Sequence, residues 1–254
     1  MTADPHLALA LELADIADAI TMSRFRADDL VVETKPDLTP VTEADRTVEA
    51  ALRERVAAEP GDHAVLGEEF GDDGDAELRW IVDPIDGTKG YVRGLPIWAT
   101  LIGLERAGRL ELGVASAPAL GSRWWGSTAV GAFRDGQPMR VSAVGRLADA
   151  GVSLAWDHDE LDGDFGTRAR RLAGRCWRTR SLGDFWHHML VAEGALDIAV
   201  EPKVAIWDVA AVQPIVEAAG GRFTDLAGVA RPDGGSAVTT NGLLHDEVIE
   251  AFGR

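Results

Sequence analysis

The stretch Trp80-Ile81-Val82-Asp83-Pro84-Ile85-Asp86-Gly87-Thr88 shows most directly how this chain is organised. Its first three residues are apolar and predict a buried strand that ends at Val82. Two aspartates follow, three positions apart, in a turn that Pro84 stiffens and Gly87 opens. Acidic groups at a strand end face a cleft in α/β folds, and two carboxylates this close repel each other unless a cation lies between them. The stretch therefore predicts a divalent-cation site at the end of a strand.

Magnesium is the cation that this turn favours. It prefers hard oxygen ligands, and a bridging carboxylate can hold two such ions at the separation used in phosphoryl hydrolysis. The backbone amides of Gly87 and Thr88 would point at a phosphate if they open a helix. Further carboxylates stand in comparable places: Glu68 after a short apolar run, Asp208 at the start of a helical pattern, and Asp45 in the first turn of a predicted helix. Each also has an ordinary structural explanation, because acidic residues are favoured at helix N-termini and Glu68 suits a solvated loop.

Composition limits the classes of protein that need to be considered. The chain has 254 residues, of which 46% are hydrophobic, and its 42 acidic and 25 basic side chains give a formal net charge of −17. This length suits one large domain or two small lobes, and the acidic excess argues against nucleic-acid and membrane partners. The single cysteine, Cys176, excludes a disulfide framework and favours a reducing compartment. Since the first residues do not resemble a signal peptide and no apolar run is long enough to span a membrane, we expect a cytoplasmic protein.

The remaining pattern predicts alternating helices and strands. A first helix begins at Pro5 with Asp4 as its cap, and a second follows Pro40 with Thr39 or Thr42 as its cap. Strands are predicted at 64–66, 80–82, 97–104, 110–115, 152–156, 196–200, 222–224 and 237–240, with a hairpin joining 130–133 to 139–141. Helices are predicted at 165–173, 183–193, 209–219 and 243–252, and a polar loop at 157–164. We expect two layered α/β lobes, 1–145 and 146–254, that meet near residues 142–150 and share one interface.

Three motifs carry a resemblance to a known family. Gly67-Glu68-Glu69, Asp83-Pro84-Ile85-Asp86-Gly87-Thr88 and the distant Trp207-Asp208 occur in that order along the chain. Together they resemble the signature of the inositol monophosphatase family, whose members are magnesium-dependent, lithium-sensitive phosphatases of sugars and other small molecules. The resemblance covers nearly the entire chain and includes the segments 131–133, 191–197 and 217–221. It implies a layered α-β-α-β-α fold and a homodimer.

The resemblance also implies roles for the motif residues. A first magnesium ion would be held by Glu68, Asp83 and the carbonyl of Ile85, and a second by Asp83, Asp86 and Asp208, with two or three ions in each site. Asp45 and Thr88 match the pair that orients the attacking water and helps to deprotonate it, with Glu68 nearby. This role is chemically reasonable because a carboxylate within hydrogen-bond reach of a water can take its proton. No covalent phospho-enzyme is needed.

Within the family, the closest likeness is to the branch that hydrolyses histidinol phosphate. It rests on the segments 35–42 and 89–100. That substrate carries an amine and an imidazole, which suit acidic groups beside aromatic surfaces. The candidates for these contacts are Glu201, Asp184, Trp98 and Trp207, although core packing is an equal alternative for the tryptophans. Thr88-Lys89-Gly90-Tyr91 stands where many relatives have Thr-Asn-Phe after the glycine, which disfavours inositol phosphate as the substrate but leaves it open.

We therefore expect a Mg²⁺-dependent phosphomonoesterase that converts L-histidinol phosphate to L-histidinol and phosphate in histidine biosynthesis. The alternatives are an inositol monophosphatase and a phosphatase of fructose 1,6-bisphosphate or phosphoadenosine phosphate. A different class, an inactive interaction protein that binds divalent ions, has no use for a water-activating pair. His187 and His188 are adjacent, so on a helix they diverge by about 100°. The sequence predicts that these two imidazoles do not share a metal.

Overall fold

The described residues form alternating layers of helices and sheets. The computed structural model describes residues 4–36, 38–156 and 163–253, so most of the predicted polar loop, residues 157–162, lies outside the described part. Within these ranges the helices are α1 (Pro5–Arg24), α2 (Glu43–Ala57), α3 (Thr88–Val92), α4 (Asp164–Ala173), α5 (Asp184–Ala192), α6 (Ile206–Val209), α7 (Val212–Ala218) and α8 (His245–Gly253). None of these helices combines the length and hydropathy that crossing a bilayer requires.

Fifteen strands form three sheets in the same described ranges. A small antiparallel pair is made of β1 (Val32–Thr34) and β2 (Pro40–Thr42). The large sheet has the order β10-β9-β8-β7-β6-β5-β3-β4 and contains β3 (His63–Gly67), β4 (Gly71–Asp72), β5 (Leu78–Asp86), β6 (Ala99–Arg106), β7 (Arg109–Ala117), β8 (Ser122–Ser127), β9 (Gly131–Arg134) and β10 (Gln137–Pro138). The third sheet has the order β12-β11-β13-β15-β14 and contains β11 (Gly151–Leu154), β12 (Arg178–Arg180), β13 (Ile198–Glu201), β14 (Arg222–Thr224) and β15 (Ala237–Thr240).

The hydrophobic core explains the order of the layers. Helices α1 and α2 pack their apolar faces on one side of the large sheet, where Leu13 and Leu52 meet Trp80. Helices α5 and α7 fill the other side through residues such as Phe185 and Ile215, and this core extends to the third sheet. Helices α4 and α8 close the far side of the third sheet. The predicted α-β-α-β-α layering is confirmed.

A row of glycines brings the middle helices unusually close to the large sheet. Gly103, Gly113 and Gly126 are direct partners on the neighbouring strands β6, β7 and β8. A Cβ at Gly113 would lie 2.0 Å from the carbonyl oxygen of Ala211, and one at Gly103 would lie 2.8 Å from the carbonyl carbon of Ala210. The backbone that connects α6 to α7 therefore packs directly against β6 and β7, with no side chain between them.

Several predicted elements need correction. The second arm of the predicted hairpin, 139–141, is not a strand: β10 ends at Pro138, and the amide of Val141 donates to the carbonyl of Ala219 instead. The predicted helix 209–219 begins earlier and is divided into α6 and α7. Five strands are absent from the prediction because none of them contains an apolar run of three residues: β1, β2, β4, β8 and β12. The chain passes from the large sheet to the third sheet between Pro138 and Gly151, and the division into lobes at 145 stays a prediction.

Candidate active site

Asp83 and Asp86 lie on a strand that continues further than the sequence predicts. The prediction that this strand ends at Val82 is wrong, because β5 runs to Asp86 and keeps pairing with β6 after an irregularity between Asp83 and Asp86. Pro84 has no N–H for the ladder, and its carbonyl accepts a hydrogen bond from the Thr100 hydroxyl at 2.8 Å. This irregularity brings both carboxylates to one cavity.

That cavity has a volume of about 580 Å³ and draws its walls from both halves of the chain. Most of the predicted site residues line it: Glu68, Asp83, Ile85, Asp86, Gly87, Thr88, Asp184, Glu201, Trp207 and Asp208. Carboxylate oxygens of Asp83, Asp86 and Asp208 lie within 4.8 Å of one another. The sequence-distant Asp208 therefore joins the pair on β5, as the metal-site prediction requires.

The electrostatics of this trio fit divalent cations. Burial and the nearby Glu68 raise the pKa of Asp83 well above its ordinary value, and burial with Asp184 does the same for Asp86. Burial also raises the pKa of Asp208 to about 7, although the amide of Ala205 donates to its Oδ2 at 2.7 Å. Carboxylates that destabilise one another when ionised are stabilised together by a bound cation. The donor set is all oxygen, which suits a hard cation.

Asp45 lies behind the cavity wall, in the first turn of α2. Thr42 caps that helix, and both its amide and its hydroxyl donate to Asp45 Oδ2, at 2.8 and 2.6 Å. The other carboxylate oxygen is 3.4 Å from the Thr88 hydroxyl, which is also 2.9 Å from the carbonyl of Ile85. A hydroxyl has a single proton, so Thr88 donates to one of these oxygens at a time. Burial raises the pKa of Asp45 to about 6 against the lowering effect of the Thr42 bonds.

Glu68 is held in place by Lys35 directly and by Glu49 through the neighbouring backbone. The Lys35 ammonium lies 2.7 Å from Glu68 Oε1 and 2.5 Å from Glu69 Oε1. The buried carboxylate of Glu49 accepts the amides of Glu69 and Phe70, at 2.7 and 3.0 Å. A Cβ at position 67 would lie 2.1 Å from this carboxylate, which explains the glycine before Glu68. Glu49 stands among the apolar positions of α2, and its spacing from Arg53 looks like an ordinary surface ion pair.

The start of α5, in the second half of the chain, contacts one of the aspartates of β5. The amide of Phe185 donates to Asp86 Oδ2 at 2.5 Å. The preceding Gly183 and Asp184 both have positive φ, 74° and 51°, which turns the chain into the helix. Asp184 thereby reaches the cavity wall.

Glu201 reaches the same cavity and contacts both adjacent histidines. His187 Nε2 and His188 Nε2 are 3.0 Å apart and lie 3.3 and 3.2 Å from Glu201 Oε2. The prediction that these imidazoles diverge is wrong, because their side chains rotate towards each other and their ring centres are 4.1 Å apart. Burial lowers the pKa of His188 to about 4. Burial alone would raise the pKa of Glu201, but the two imidazoles lower it to about 2.

The two candidate tryptophans lie in different surroundings. Trp207 lines the cavity, at the start of α6. Trp98 is fully buried and packs against Phe25 and Tyr91, with ring centres 5.3 and 5.0 Å away. The expectation that Trp98 contacts substrate is therefore wrong, and its alternative, core packing, is what the structure has. The apolar sequence around Trp98 fits a buried residue and a substrate-contacting residue equally well.

A cavity that gathers this many carboxylates from several elements is typical of metal-dependent hydrolases of anionic substrates, since bound cations neutralise the ligands and attract phosphate. The model of the inositol monophosphatase family matches residues 2–254. The chain belongs to this family of metal-dependent phosphatases.

Curated relatives and solved structures agree with this membership. A histidinol-phosphatase from Mycobacterium tuberculosis is 53% identical over 250 residues, which is 96% of this chain and 96% of that protein. A histidinol-phosphatase from Streptomyces coelicolor is 48% identical over 258 residues, covering 96% of this chain and 95% of that protein. An IMPase structure from Thermotoga maritima is 30% identical with a TM-score of 0.87, covering 98% of this chain and 97% of that one.

Proposed function

We propose that this phosphatase is a Mg²⁺-dependent enzyme that hydrolyses L-histidinol phosphate to L-histidinol and phosphate. The observation that carries the proposal is a single cavity that joins the three aspartates to an acidic wall made by Asp184 and Glu201. The aspartates suit the cations that accompany phosphate, and the acidic wall suits an amine and an imidazole. The 53% and 48% identities to two proteins named histidinol-phosphatase support this choice of substrate.

The metal-binding part of the proposal assigns two Mg²⁺ ions, or three, to the carboxylate cluster. Glu68, Asp83 and the Ile85 carbonyl would hold one ion, and Asp83, Asp86 and Asp208 would hold another. When bound, the ions supply positive charge that stabilises the phosphoryl oxygens and activates the attacking water. The Thr88 hydroxyl is 2.9 Å from the Ile85 carbonyl oxygen, so it would lie next to the ion that this carbonyl helps to hold.

The protein groups around the phosphate have distinct tasks. The Thr88 hydroxyl orients the water and takes its proton as the water attacks, while the hydroxyl passes its own proton to the carboxylate of Asp45 behind it. In the metal-free protein, burial raises the pKa of Asp45 to about 6, so this carboxylate is mostly ionised at neutral pH and able to accept a proton. The amides of Gly87 and Thr88, at the start of α3, donate to the phosphate.

The far wall of the cavity recognises the nitrogen-bearing end of the substrate. The low pKa of Glu201 keeps its carboxylate ionised, so it offers a fixed negative charge to the substrate amine. Asp184 adds a second carboxylate, and the indole of Trp207 offers an aromatic face for a cation or a flat ring.

Substrate comparison tests the proposal directly. Phosphate release from histidinol phosphate, myo-inositol 1-phosphate, fructose 1,6-bisphosphate and phosphoadenosine phosphate is measured at equal enzyme and magnesium concentrations. We expect the highest kcat/KM for histidinol phosphate. A higher value for any other compound would replace the substrate in this proposal with that compound.

The metal role is tested by Asp86→Asn. An amide can still accept the bond from Phe185, so the fold should persist, while the loss of a charged ligand should lower kcat at least about 100-fold. Asp246→Asn, an exposed aspartate on α8, is the matched control and should keep full turnover. Turnover of Asp86→Asn near the wild-type value would refute the two-ion assignment.

We also propose that the enzyme works in the cytoplasm as a homodimer. The membership in the family supports the dimer, and the sequence composition supports the compartment. Light scattering on the purified chain measures the oligomeric state, and a monomeric mass at micromolar concentration would contradict the dimer.

A further inference from the structure

His187, His188 and Glu201 form a compact cluster beside the carboxylate site. The three atoms that converge are the two Nε2 nitrogens and Glu201 Oε2, with separations of 3.0, 3.2 and 3.3 Å. Both histidines are completely buried, and Glu201 is the member that lines the cavity. The remaining nitrogens are also placed: His187 Nδ1 lies 3.2 Å from the Ser153 hydroxyl, and His188 Nδ1 lies 2.8 Å from the Thr239 hydroxyl.

Hydrogen bonds alone leave this cluster with an unfavourable contact. A neutral imidazole has one proton, on Nδ1 or on Nε2. If both Nε2 atoms are protonated, both can donate to Glu201 Oε2, but the two N–H dipoles then oppose each other across only 3.0 Å. If one is protonated, the lone pair of the other still faces the carboxylate. If neither is protonated, three lone pairs face one another. A cation at the centre of the triangle removes the conflict.

The dimensions of the triangle match a particular class of ion. Tetrahedral Zn²⁺ binds nitrogen and oxygen at about 2.0–2.1 Å, which places neighbouring ligand atoms about 3.3 Å apart. The observed separations, 3.0 to 3.3 Å, are close to that value. Two imidazoles and a carboxylate are ligands that zinc accepts, whereas magnesium prefers oxygen alone. In metal-bound histidines the other ring nitrogen donates to an acceptor, and Ser153 and Thr239 provide hydroxyl acceptors here.

We propose that His187, His188 and Glu201 bind one Zn²⁺ ion at a site separate from the carboxylate site, with its fourth position open to the cavity. Three protein ligands and one open position are the arrangement of zinc ions that contact substrates. Glu201 is the ligand that lines the cavity, so the open position would be reached from the cavity beside Glu201. With zinc bound, the charge of Glu201 is neutralised, and Asp184 is the carboxylate left for the substrate amine. Resting on the proposed function, the inference extends one step: a neutral imidazole nitrogen of histidinol phosphate takes the fourth position.

Cobalt substitution tests the site without measuring activity. Wild-type enzyme is freed of metals, saturated with Mg²⁺ and titrated with Co²⁺, because tetrahedral Co²⁺ absorbs strongly in the visible range whereas octahedral Co²⁺ absorbs weakly. We expect strong bands that saturate at one ion per chain and disappear when Zn²⁺ is added. Weak octahedral spectra alone would overturn the proposal and leave a hydrogen-bonded cluster.

Variants assign the bands to these ligands. Glu201→Gln keeps the size of the side chain and should weaken Co²⁺ binding at least tenfold, and His188→Asn should do the same. His6→Ala, near the start of α1, controls for adventitious binding by a surface imidazole, and should keep the bands. Asp208→Asn should also keep them, because it belongs to the other site. Circular dichroism confirms that each variant is folded, and unchanged bands in a folded Glu201→Gln would overturn the assignment.

The substrate step is tested separately. With Mg²⁺ saturating, KM is compared with and without one equivalent of Zn²⁺ for histidinol phosphate and for para-nitrophenyl phosphate, which has no nitrogen ligand. We expect zinc to lower KM for histidinol phosphate at least tenfold and to leave KM for the nitrophenyl ester unchanged. Equal KM values for histidinol phosphate would overturn the coordination of substrate. If histidinol phosphate is not a substrate at all, the proposed function fails while the cobalt spectra still decide the metal site.

Discussion

Adding one methyl group to the glycine row should disturb the active site from a distance. In Gly113→Ala the new Cβ would lie 2.0 Å from the carbonyl oxygen of Ala211, a backbone atom that cannot rotate away. Real contacts of this kind lie beyond 3.0 Å, so the backbone around Ala211 must move by at least about 1 Å. Asp208 is three residues earlier, on α6. The substitution therefore acts on a predicted metal ligand without touching it.

The expected magnitude follows from the tolerance of metal sites. Metal–ligand distances are held to about 0.2 Å, so a displacement near 1 Å should weaken Mg²⁺ binding at least about tenfold. A misplacement of 1 Å can lower turnover by about 100-fold. Overpacking should also lower the free energy of unfolding by about 1–3 kcal/mol. Calorimetric titration with Mg²⁺, steady-state kinetics and urea unfolding measure the three effects.

The matched control is Gly145→Ala. Gly145 has open space around the position of a Cβ, so alanine there should leave all three quantities near their wild-type values. The informative result is a folded Gly113→Ala protein with weakened Mg²⁺ binding. If that variant is folded and binds Mg²⁺ with wild-type affinity, the argument that the glycine row positions Asp208 is refuted.

Two further predictions concern the support and the charge of the site. Glu49→Ala removes the acceptor of two amides next to Glu68 and leaves Arg53 without its buried partner. The free energy of unfolding, measured in urea, should therefore fall by about 3 kcal/mol. Glu54 is exposed on the same helix, so Glu54→Ala, the control, should lower it by less than about 0.5 kcal/mol. Protons compete with Mg²⁺ for Asp208, whose pKa burial raises to about 7, so Mg²⁺ affinity should fall as pH decreases from about 8 to 6. The same raised pKa means that folding of the metal-free protein favours the protonated carboxyl, so its Tm should fall as pH rises through about 7, and added Mg²⁺ should cancel this trend. A Mg²⁺ affinity independent of pH would contradict the assignment of Asp208 as a ligand.

The layered fold and the aspartate pair of the candidate site can be predicted from the sequence because the residue patterns that indicate them lie within short stretches of the chain. Val82, Asp83 and Asp86 stand within a few residues of one another, and the strand and turn that carry them follow from apolar runs and from proline and glycine. The strands β14 and β15 match their predicted bounds for the same reason. The distant Asp208 needed the family resemblance, because its local pattern resembles any acidic helix start.

The other features depend on contacts between distant parts of the chain. Adjacent positions on a helix are about 100° apart, but the rings of His187 and His188 rotate together, where they contact Ser153 on β11 and Thr239 on β15. Trp98 and Trp207 are equally aromatic in sequence, and only the packing of Phe25 on Trp98 separates their roles. Periodicity describes which face a residue occupies, whereas such contacts depend on which element covers that face.

The structure also explains how one site holds so many like charges without losing its shape. The carboxylates of Asp83, Asp86 and Asp208 repel one another when ionised, so the free energy to keep them together must come from elsewhere. Backbone amides of α5 and of the residue before α6 donate directly to Asp86 and Asp208, which anchors both carboxylates to the middle helical layer. The glycine row then fixes that layer against the large sheet. Bound cations would neutralise these carboxylates and add positive charge that attracts phosphate. This explains how a chain with net charge −17 can bind an anionic substrate.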